Sequence, residues 1–263
     1  MPLWFLRSRR RRAIGDRPFP PAWDAILRRM VLQSQWLDPA EADAFRRWVA
    51  VFVAEKRFEG CGGLAITDEV RLTIAGQAAI AALGLGGEWF DSLRSVLVYP
   101  GDYLVPRTTP LAGGGELAWQ EPRVGETWTG GSMALSWPGV VDGGRLRDGP
   151  RSVVIHECAH LFDALDGEID GLPPLPGGDR AAWSAAVTAA RRRFEDAVDE
   201  GRSTAFDDYA AESEVEFFAV ASECFFQDPH RLARHDGELY GLLASAWRQD
   251  PRRRVPVRAA RGR

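Results

Sequence analysis

Two histidines four residues apart constrain this chain more than any other feature of the sequence. His156 and His160 lie within the run Val153–Asp163, with Glu157 between them. On a helix this spacing puts both imidazoles on one face, one turn apart, with the carboxylate near the same edge. Two nitrogen ligands beside a carboxylate form the H-E-x-x-H pattern of zinc hydrolases. The alternative is an amphipathic helix whose histidines line a polar groove without metal.

The residues around this motif have the periodicity of a buried helix. Apolar residues recur at spacings of three and four, which predicts a helix packed on the face away from the histidines. Pro150 is expected in the first helical turn, and Gly167 is expected at a left-handed C-cap. The apolar positions on the predicted face are Val154, Cys158, Leu161 and Leu165.

The composition is that of a globular chain: 263 residues, 45% of them hydrophobic, can bury a substantial core. Three widely spaced cysteines, an odd number, make a disulfide framework unexpected and favour a reducing compartment. The first apolar residues precede the arginines, which is the reverse of a signal peptide, and no apolar stretch is long enough to span a bilayer. We therefore expect a cytoplasmic protein.

Arginines concentrate at the two ends of the sequence. Residues 1–12 contain five and residues 252–263 contain six, with no acid in either, so a net charge of −4 leaves −15 on the remainder. Such an acidic body excludes a nucleic-acid platform, which needs a basic surface. We expect both ends to be solvated and disordered. A contact of Trp4, Phe5 and the following arginines with anionic lipid or an acidic partner is the alternative.

Capping signals predict three helices in the first third of the chain. A first helix follows the proline-rich segment 18–21, with apolar residues from Trp23 to Val31. Asp38-Pro39-Ala40-Glu41 has the N-cap acid, the proline and the glutamate of a second helix start. Thr67 can cap a third helix that runs to about Leu83, after a glycine-rich turn.

Alternating apolar residues predict two strands before the histidine motif. One is Ser95–Tyr99, and the other runs from Met133 to Val141. We further predict that residues 131–137 form a strand beside the histidine helix and pair with an extended peptide, because peptide backbones commonly add to sheet edges. After the motif, a helix is predicted from about Ala181 to Val198.

Downstream of the histidine motif, residues 208–226 are predicted to form a helix that is apolar apart from a few acids. Glu216 and Glu223 are seven residues apart in it and therefore share a face. Buried carboxylates need a cation or a hydrogen-bond donor, and on this argument either one could complete a metal site. Glu212 and Glu214 lie in the polar lead-in, where acids favour a helix N-terminus.

These residues together resemble the Mlc titration factor A family of bacterial zinc peptidases. The resemblance implies an α+β fold, mainly helical and zincin-like, with a small sheet beside the H-E-x-x-H helix, as in lethal-factor-like peptidases. It also implies aminopeptidase-type activity, a cytoplasmic location and binding to the Mlc repressor of sugar-uptake genes. The matching stretches are Arg17-Pro18-Phe19-Pro20, Phe58 to Thr67, Leu135-Ser136-Trp137, His156 to Asp166 and Tyr209 to Phe226.

Carried over residue by residue, the resemblance assigns the site. It makes His156, His160 and Glu216 the ligands of one Zn²⁺ and Glu157 the general base. Tyr209 would support the reacting oxyanion, although a tyrosine near a helix start can equally be a packing residue.

Two further acids have open roles. The resemblance leaves Glu223 as a carboxylate behind the ligands or a structural acid. Asp163 follows His160 by three residues on the ligand face. It is either an acceptor that orients an imidazole or an exposed acid at the helix end.

The resulting hypothesis is a zinc-dependent peptidase that hydrolyses peptide bonds with water while Glu157 moves the proton. The catalytic unit would span residues 13–250, with a helical front 18–85 and a catalytic part 86–250, between basic tails 1–12 and 251–263. The alternative is a non-catalytic zincin scaffold that sequesters a transcriptional repressor. The presence of Glu157 favours retained chemistry.

Overall fold

The computed structural model describes residues 3–86, 88–110, 116–123, 125–128, 131–147, 149–174 and 180–257. In this part the chain forms ten α-helices and six β-strands. The predicted fold class is confirmed, because the fold is α+β and mainly helical with a small sheet. None of the helices within these ranges is long and apolar enough to cross a membrane.

The front of the chain contributes α1 (Leu3–Gly15), α2 (Pro21–Met30), α3 (Pro39–Glu55) and α4 (Asp68–Ala82). The predicted helix starts are confirmed for α2, α3 and α4. At the start of α3, the Asp38 carboxylate accepts from the Glu41 backbone N–H, and the Glu41 side chain accepts from the Asp38 N–H. Thr67 caps α4 through the Val70 N–H at 3.3 Å.

The expectation of disordered ends is wrong for most of the residues concerned. Helix α1 packs on α3, where Arg11 Nη2 lies 2.7 Å from Glu55 Oε2. Near the other end, Arg254 Nη1 lies 2.7 Å from Glu41 Oε1, and Val255 is only 3% exposed. Burial of arginine stems and one valine therefore orders segments that read as solvated from their charge alone. Residues 1–2 and 258–263 lie outside the described ranges.

Four strands form one sheet in the order β1-β2-β6-β5. The β1-β2 and β2-β6 pairs are parallel, and the β5-β6 pair is antiparallel. A separate antiparallel pair, β3-β4, lies between β2 and β5 in the chain. The strands are β1 (Arg57–Gly60), β2 (Ser95–Tyr99), β3 (Tyr103–Pro110), β4 (Glu116–Arg123), β5 (Gly125–Trp128) and β6 (Ser132–Ser136).

Strand β6 corrects two predictions for this region. Its residue Ala134 pairs with β2 on one side and with β5 on the other, so residues 131–137 have no free edge for a peptide. The strand also ends at Ser136 instead of Val141, because α5 (Trp137–Arg145) begins there. Pro138 lies in the first turn of α5, where its fixed φ suits a helix and its missing N–H would interrupt a ladder.

Helix α6 (Val153–Asp163) lies at the centre of the core, in contact with α4, the sheet and α8 (Glu214–Gln227). The outer helices are α7 (Arg180–Asp199), α9 (Pro229–His235) and α10 (Gly237–Trp247). Three of the four residues predicted for the apolar face of α6 are buried: Val154, Cys158 and Leu161.

The ends of α6 differ in detail from the prediction. Leu165 is 42% exposed, because α6 stops at Asp163 and a 3-10 turn follows. That turn ends at Gly167, whose φ of 97° is the expected left-handed C-cap. Pro150 lies outside the helix, which begins after the N-cap Ser152. All three cysteines lie in the described part of the chain, and they are free thiols.

Candidate metal centre

Two serine caps fix the helices that carry the site. Ser152 Oγ accepts the Ile155 N–H at 3.2 Å and starts α6. Ser213 Oγ accepts the Glu216 N–H at 3.1 Å and starts α8, so that Glu216 lies in the first turn. The segment predicted as one helix is thus divided at Ser213, with a 3-10 turn carrying Tyr209 before it.

Three side chains converge where α6 faces the start of α8. The Nε2 atoms of His156 and His160 are 3.1 Å apart. Glu216 Oε2 lies 3.1 Å from His156 Nε2, and Glu216 Oε1 lies 3.8 Å from His160 Nε2. One donor atom from each residue falls within 4.8 Å of the others. Two imidazole nitrogens and a carboxylate oxygen at this spacing fit a tetrahedral metal that keeps a fourth position open.

The carboxylate of Glu216 supports the same conclusion. Its Oε2 is buried and, among the described residues, has no well-aligned hydrogen-bond partner although His156 Nε2 is near. A buried carboxylate oxygen is costly without a cation or donor. Burial would raise the pKa of Glu216, but His156 and His160 hold it at about 2, with a contribution from the Tyr209 hydroxyl. The group is therefore ionised and placed to bind a positive charge.

His156 has carboxylates on several sides. Burial alone would lower the pKa of this histidine, but the close carboxylates of Glu216 and Glu223 and the charge of Glu157 raise it well above 6.5. A site that stabilises a proton so strongly is electrostatically suited to a divalent cation in its place.

Glu216 and Glu223 occupy different sides of this imidazole. Glu223 Oε1 lies 2.9 Å from His156 Nδ1, and Oε2 accepts the Ser152 N–H at 2.6 Å. Glu223 therefore stands behind the ring, whereas Glu216 faces the Nε2 atoms of both histidines.

Two other predicted site residues lie close to the converging donors. Glu157 is 2% exposed on α6, and its charge acts on His156. The Tyr209 ring centroid lies 6.3 Å from that of His156, and its hydroxyl is close enough to Glu216 to lower the pKa of that carboxyl.

Asp163 is not the exposed acid that the sequence left open as one of its two roles. It is fully buried, and Oδ2 accepts the Gly171 N–H at 2.8 Å. Its Oδ1 is buried and meets no hydrogen-bond partner within the described ranges. Burial raises the pKa of Asp163 to about 6. The residue thus attaches the following loop to α6 through Gly171.

Sequence reasoning missed two buried polar residues behind the site. Ser152 precedes Ile155 by three residues, the spacing of an N-cap, and this signal was available. Gln77 is a single amide in an apolar stretch of α4, and its Oε1 accepts from Ser152 Oγ at 2.7 Å.

An α+β fold whose H-E-x-x-H helix faces a glutamate on a second helix defines a metallopeptidase class of protein. The sequence model of the glucose-regulated metallopeptidase M90 family matches residues 5–248, and the chain belongs to this family. The uncharacterized protein slr2042 of Synechocystis is 33% identical over 245 residues, covering 92% of this chain and 89% of the relative. Mlc titration factor A of Yersinia pestis is 30% identical over 249 residues, covering 89% and 91%. The predicted family is confirmed.

Proposed function

We propose that this protein is a zinc-dependent peptidase of aminopeptidase type. The observation that carries the proposal is the convergence of His156, His160 and Glu216 donor atoms within 4.8 Å. Two imidazole nitrogens and one carboxylate oxygen are a ligand set that Zn²⁺ takes in hydrolases. Among the described residues, this is the group whose geometry suits a metal ion.

The residues around the ligands have the chemistry for peptide hydrolysis. Zn²⁺, when bound, supplies a Lewis acid that polarises a carbonyl and lowers the pKa of water. Glu157 would take the proton of the attacking water and pass it to the leaving amine. The Tyr209 hydroxyl would donate a hydrogen bond to the developing oxyanion. Glu223 would hold the Nδ1 proton of His156.

The substrate would bind along β5 instead of β6. In the described ladders β5 is the last strand of the sheet, pairs with β6 alone and lies against α6. A peptide that pairs with this edge would run past the histidines, because main-chain hydrogen bonds can add a strand there. Methylation of substrate backbone nitrogens should therefore weaken binding of a peptide, because it removes the N–H donors of the added strand.

The experiment that tests the proposal is hydrolysis of aminoacyl and peptide chromogenic substrates with and without a chelator. Activity should disappear with chelator and return on addition of zinc. Glu157→Gln should lose turnover by roughly 10²- to 10⁴-fold, the usual contribution of a general base, and should keep its metal. Chelator-insensitive hydrolysis, or full turnover in this variant, would refute the proposal.

A second function is supported by the names of the relatives. Mlc titration factor A is described by its name as a protein that titrates Mlc, and we propose binding of an Mlc-like repressor as an additional or alternative role. Glu157→Gln also separates the two functions, since loss of turnover should leave capture of a repressor intact. The three free cysteines support a cytoplasmic location for either function.

A further inference from the structure

Behind the candidate metal centre, side chains from three helices form one buried chain of hydrogen bonds. We propose that Gln77 and Ser152 are positioning residues which, through Glu223, keep the proton of His156 on Nδ1 and its Nε2 lone pair toward the metal. The inference rests on the proposed zinc site and deepens it. It concerns residues that donate no metal ligand and touch no substrate.

The hydrogen positions follow from the surroundings of Gln77, which is 2% exposed. Its Nε2 lies 2.9 Å from the Val140 carbonyl oxygen and 3.3 Å from the Thr73 carbonyl oxygen. Because both groups are acceptors, the amide nitrogen must face them and Oε1 must face Ser152. The Ser152 hydroxyl has one proton, and it donates this proton to Oε1 at 2.7 Å.

Two further bonds lead from Ser152 to His156. The hydrogen bond to Gln77 fixes the position of Ser152, and the backbone N–H of this residue donates to Glu223 Oε2 at 2.6 Å. Glu223 Oε1 then faces His156 Nδ1 at 2.9 Å. An ionised carboxylate only accepts hydrogen bonds, so Nδ1 carries the proton. In the neutral imidazole, Nε2 therefore has the lone pair that a metal needs.

Two glycines of α5 allow this network to be enclosed. A Cβ added to Gly143 would lie 2.9 Å from both Gln77 Oε1 and the Ser152 Cα atom. A Cβ on Gly144 would lie 2.2 Å from the Met30 carbonyl oxygen. At these two glycines the backbone of α5 thus packs directly against the Gln77 amide and the N-cap residue Ser152. Ser152 is 1% exposed as a result, so that water has little access to compete for these bonds.

Glu223→Gln is the variant that tests the proton assignment most sharply. A glutamine has one acceptor oxygen, yet both the Ser152 N–H and the His156 Nδ1–H require an acceptor. The backbone N–H cannot move its proton, so it keeps the oxygen, and the new NH₂ group faces Nδ1. The ring must then carry its proton on Nε2, where it blocks the metal. We expect zinc affinity to fall roughly 10- to 100-fold, as for other partners of ligating histidines.

Gln77→Met and Ser152→Ala test the distant part of the network. Both remove the Ser152–Gln77 hydrogen bond while the Ser152 N–H remains, and Ser152→Ala also removes the side-chain cap of α6, so Gln77→Met is the cleaner of the two. Each should lower zinc affinity by a smaller factor, roughly 3- to 10-fold, below the usual range for direct partners of a ligand. The double variant should lose no more than the worse single variant, because residues acting through one bond are not additive.

Gln227→Met is the matched control. Gln227 lies one turn after Glu223 on α8, is 1% exposed, and donates from Nε2 to the Gly143 carbonyl oxygen at 3.2 Å. Its loss removes a buried hydrogen bond of the same kind that does not lead to His156. Thermal unfolding of the metal-free proteins identifies a temperature at which all are folded, and zinc affinity is then measured there by competition with a chelating dye. The control should stay within about twofold of the wild type, because its bond ends at the Gly143 carbonyl oxygen and not at Glu223 or His156.

The outcomes separate this inference from the proposed function. A wild-type protein that binds no zinc removes the proposed function itself. If the wild type binds zinc and Glu223→Gln and Gln77→Met bind it as tightly as Gln227→Met, the network inference alone is overturned. Should Glu223→Gln fail to fold, the cycle of Gln77→Met with Ser152→Ala decides, and additive losses or no loss would overturn the inference.

Discussion

Two regions of this protein pair acids with bases, and they differ in burial. Between α6 and α8, the side chains of His156 and Glu223 are 14% and 9% exposed and 2.9 Å apart. Between α1 and the 3-10 turn Glu88–Asp91, the side chains of Arg7 and Asp91 are 51% and 35% exposed. The buried pair has one geometry and a further partner on each side, whereas the exposed pair is open to water and salt.

The difference shows what a charge pair can do in each place. At the surface, an ion pair contributes little because water screens it and both side chains lose freedom. In the interior, an unpaired charge costs several kcal/mol, so each group is held against its partner. An acid paired with a base therefore attaches a helix in one region and sets the positions of ligand atoms in the other.

Glu216→Gln should produce the largest effect among the tests of this comparison. The change removes the anionic oxygen that faces both Nε2 atoms. Zinc affinity should fall by at least about one order of magnitude, because even partners behind a ligating residue typically change it roughly 10- to 100-fold. Glu212→Gln, an exposed acid four residues earlier in the chain, is the control and should bind zinc as the wild type does. Equal affinity in the two variants would place the third ligand elsewhere.

Trimming the C-terminal end tests a pair of intermediate burial. The sequence predicted a solvated, disordered end here, but Arg254 pairs with Glu41 and Val255 is 3% exposed. Removal should lower the free energy of unfolding by about 2 kcal/mol, mainly through the buried valine. Removal of 258–263 alone, compared by denaturant unfolding, should have a much smaller effect. If both truncations unfold alike, the packing of Val255 contributes nothing.

Asp163 is a buried acid with no basic partner among the described residues, and it should respond to pH in the opposite sense to a paired carboxylate. Burial raises its pKa from 3.8 to about 6, so the folded protein binds this proton more tightly than the unfolded chain does. The associated stability is complete below pH 3.8 and is lost as the pH rises through about 6.

Asp163→Asn should therefore stabilise the protein at neutral pH. The amide oxygen can still accept the Gly171 N–H, and no charge remains to be buried. We expect a gain of about 3 kcal/mol above pH 7, from about 1.4 kcal/mol per pKa unit over the rise from 3.8 to about 6, and about half of that gain near pH 5. Thermal unfolding from pH 5 to pH 8 measures it. A variant less stable than the wild type at every pH would mean that the Asp163 charge has a partner.

Arg7→Ala should have the smallest effect. Its ion pair with Asp91 is exposed, so the loss in unfolding free energy should stay below about 0.5 kcal/mol and disappear at high salt. Denaturant unfolding at low and high ionic strength gives both values. A loss comparable to that of a buried pair would remove the distinction between the two regions.

The sequence was most informative where local rules decide the structure. The cap at Asp38, the cap at Thr67 and the periodicity of α6 depend on neighbouring residues, and the structure has these features. Tertiary features were harder to predict. That β6 lies between two strands depends on β5, whose pairing no local pattern in residues 131–137 indicates.

The same limit applies to the site. The histidine spacing indicated a metal helix, but periodicity left Glu216 and Glu223 equivalent because both lie on one face of α8. Their difference arises from the approach of α6, which puts Ser152 against Glu223 and both Nε2 atoms against Glu216. Arginine-rich ends looked solvated because charge was visible in the sequence and its partners were not.

The central claim, that the contact between α6 and the start of α8 is a zinc site, is tested most directly by elemental analysis. The wild-type protein and the Glu216→Gln variant are dialysed in separate compartments against the same buffer, which holds a low, fixed concentration of free zinc. The account predicts one zinc per chain in the wild type and strongly reduced zinc in the variant. No zinc in the wild type, or one zinc per chain in both, would contradict it.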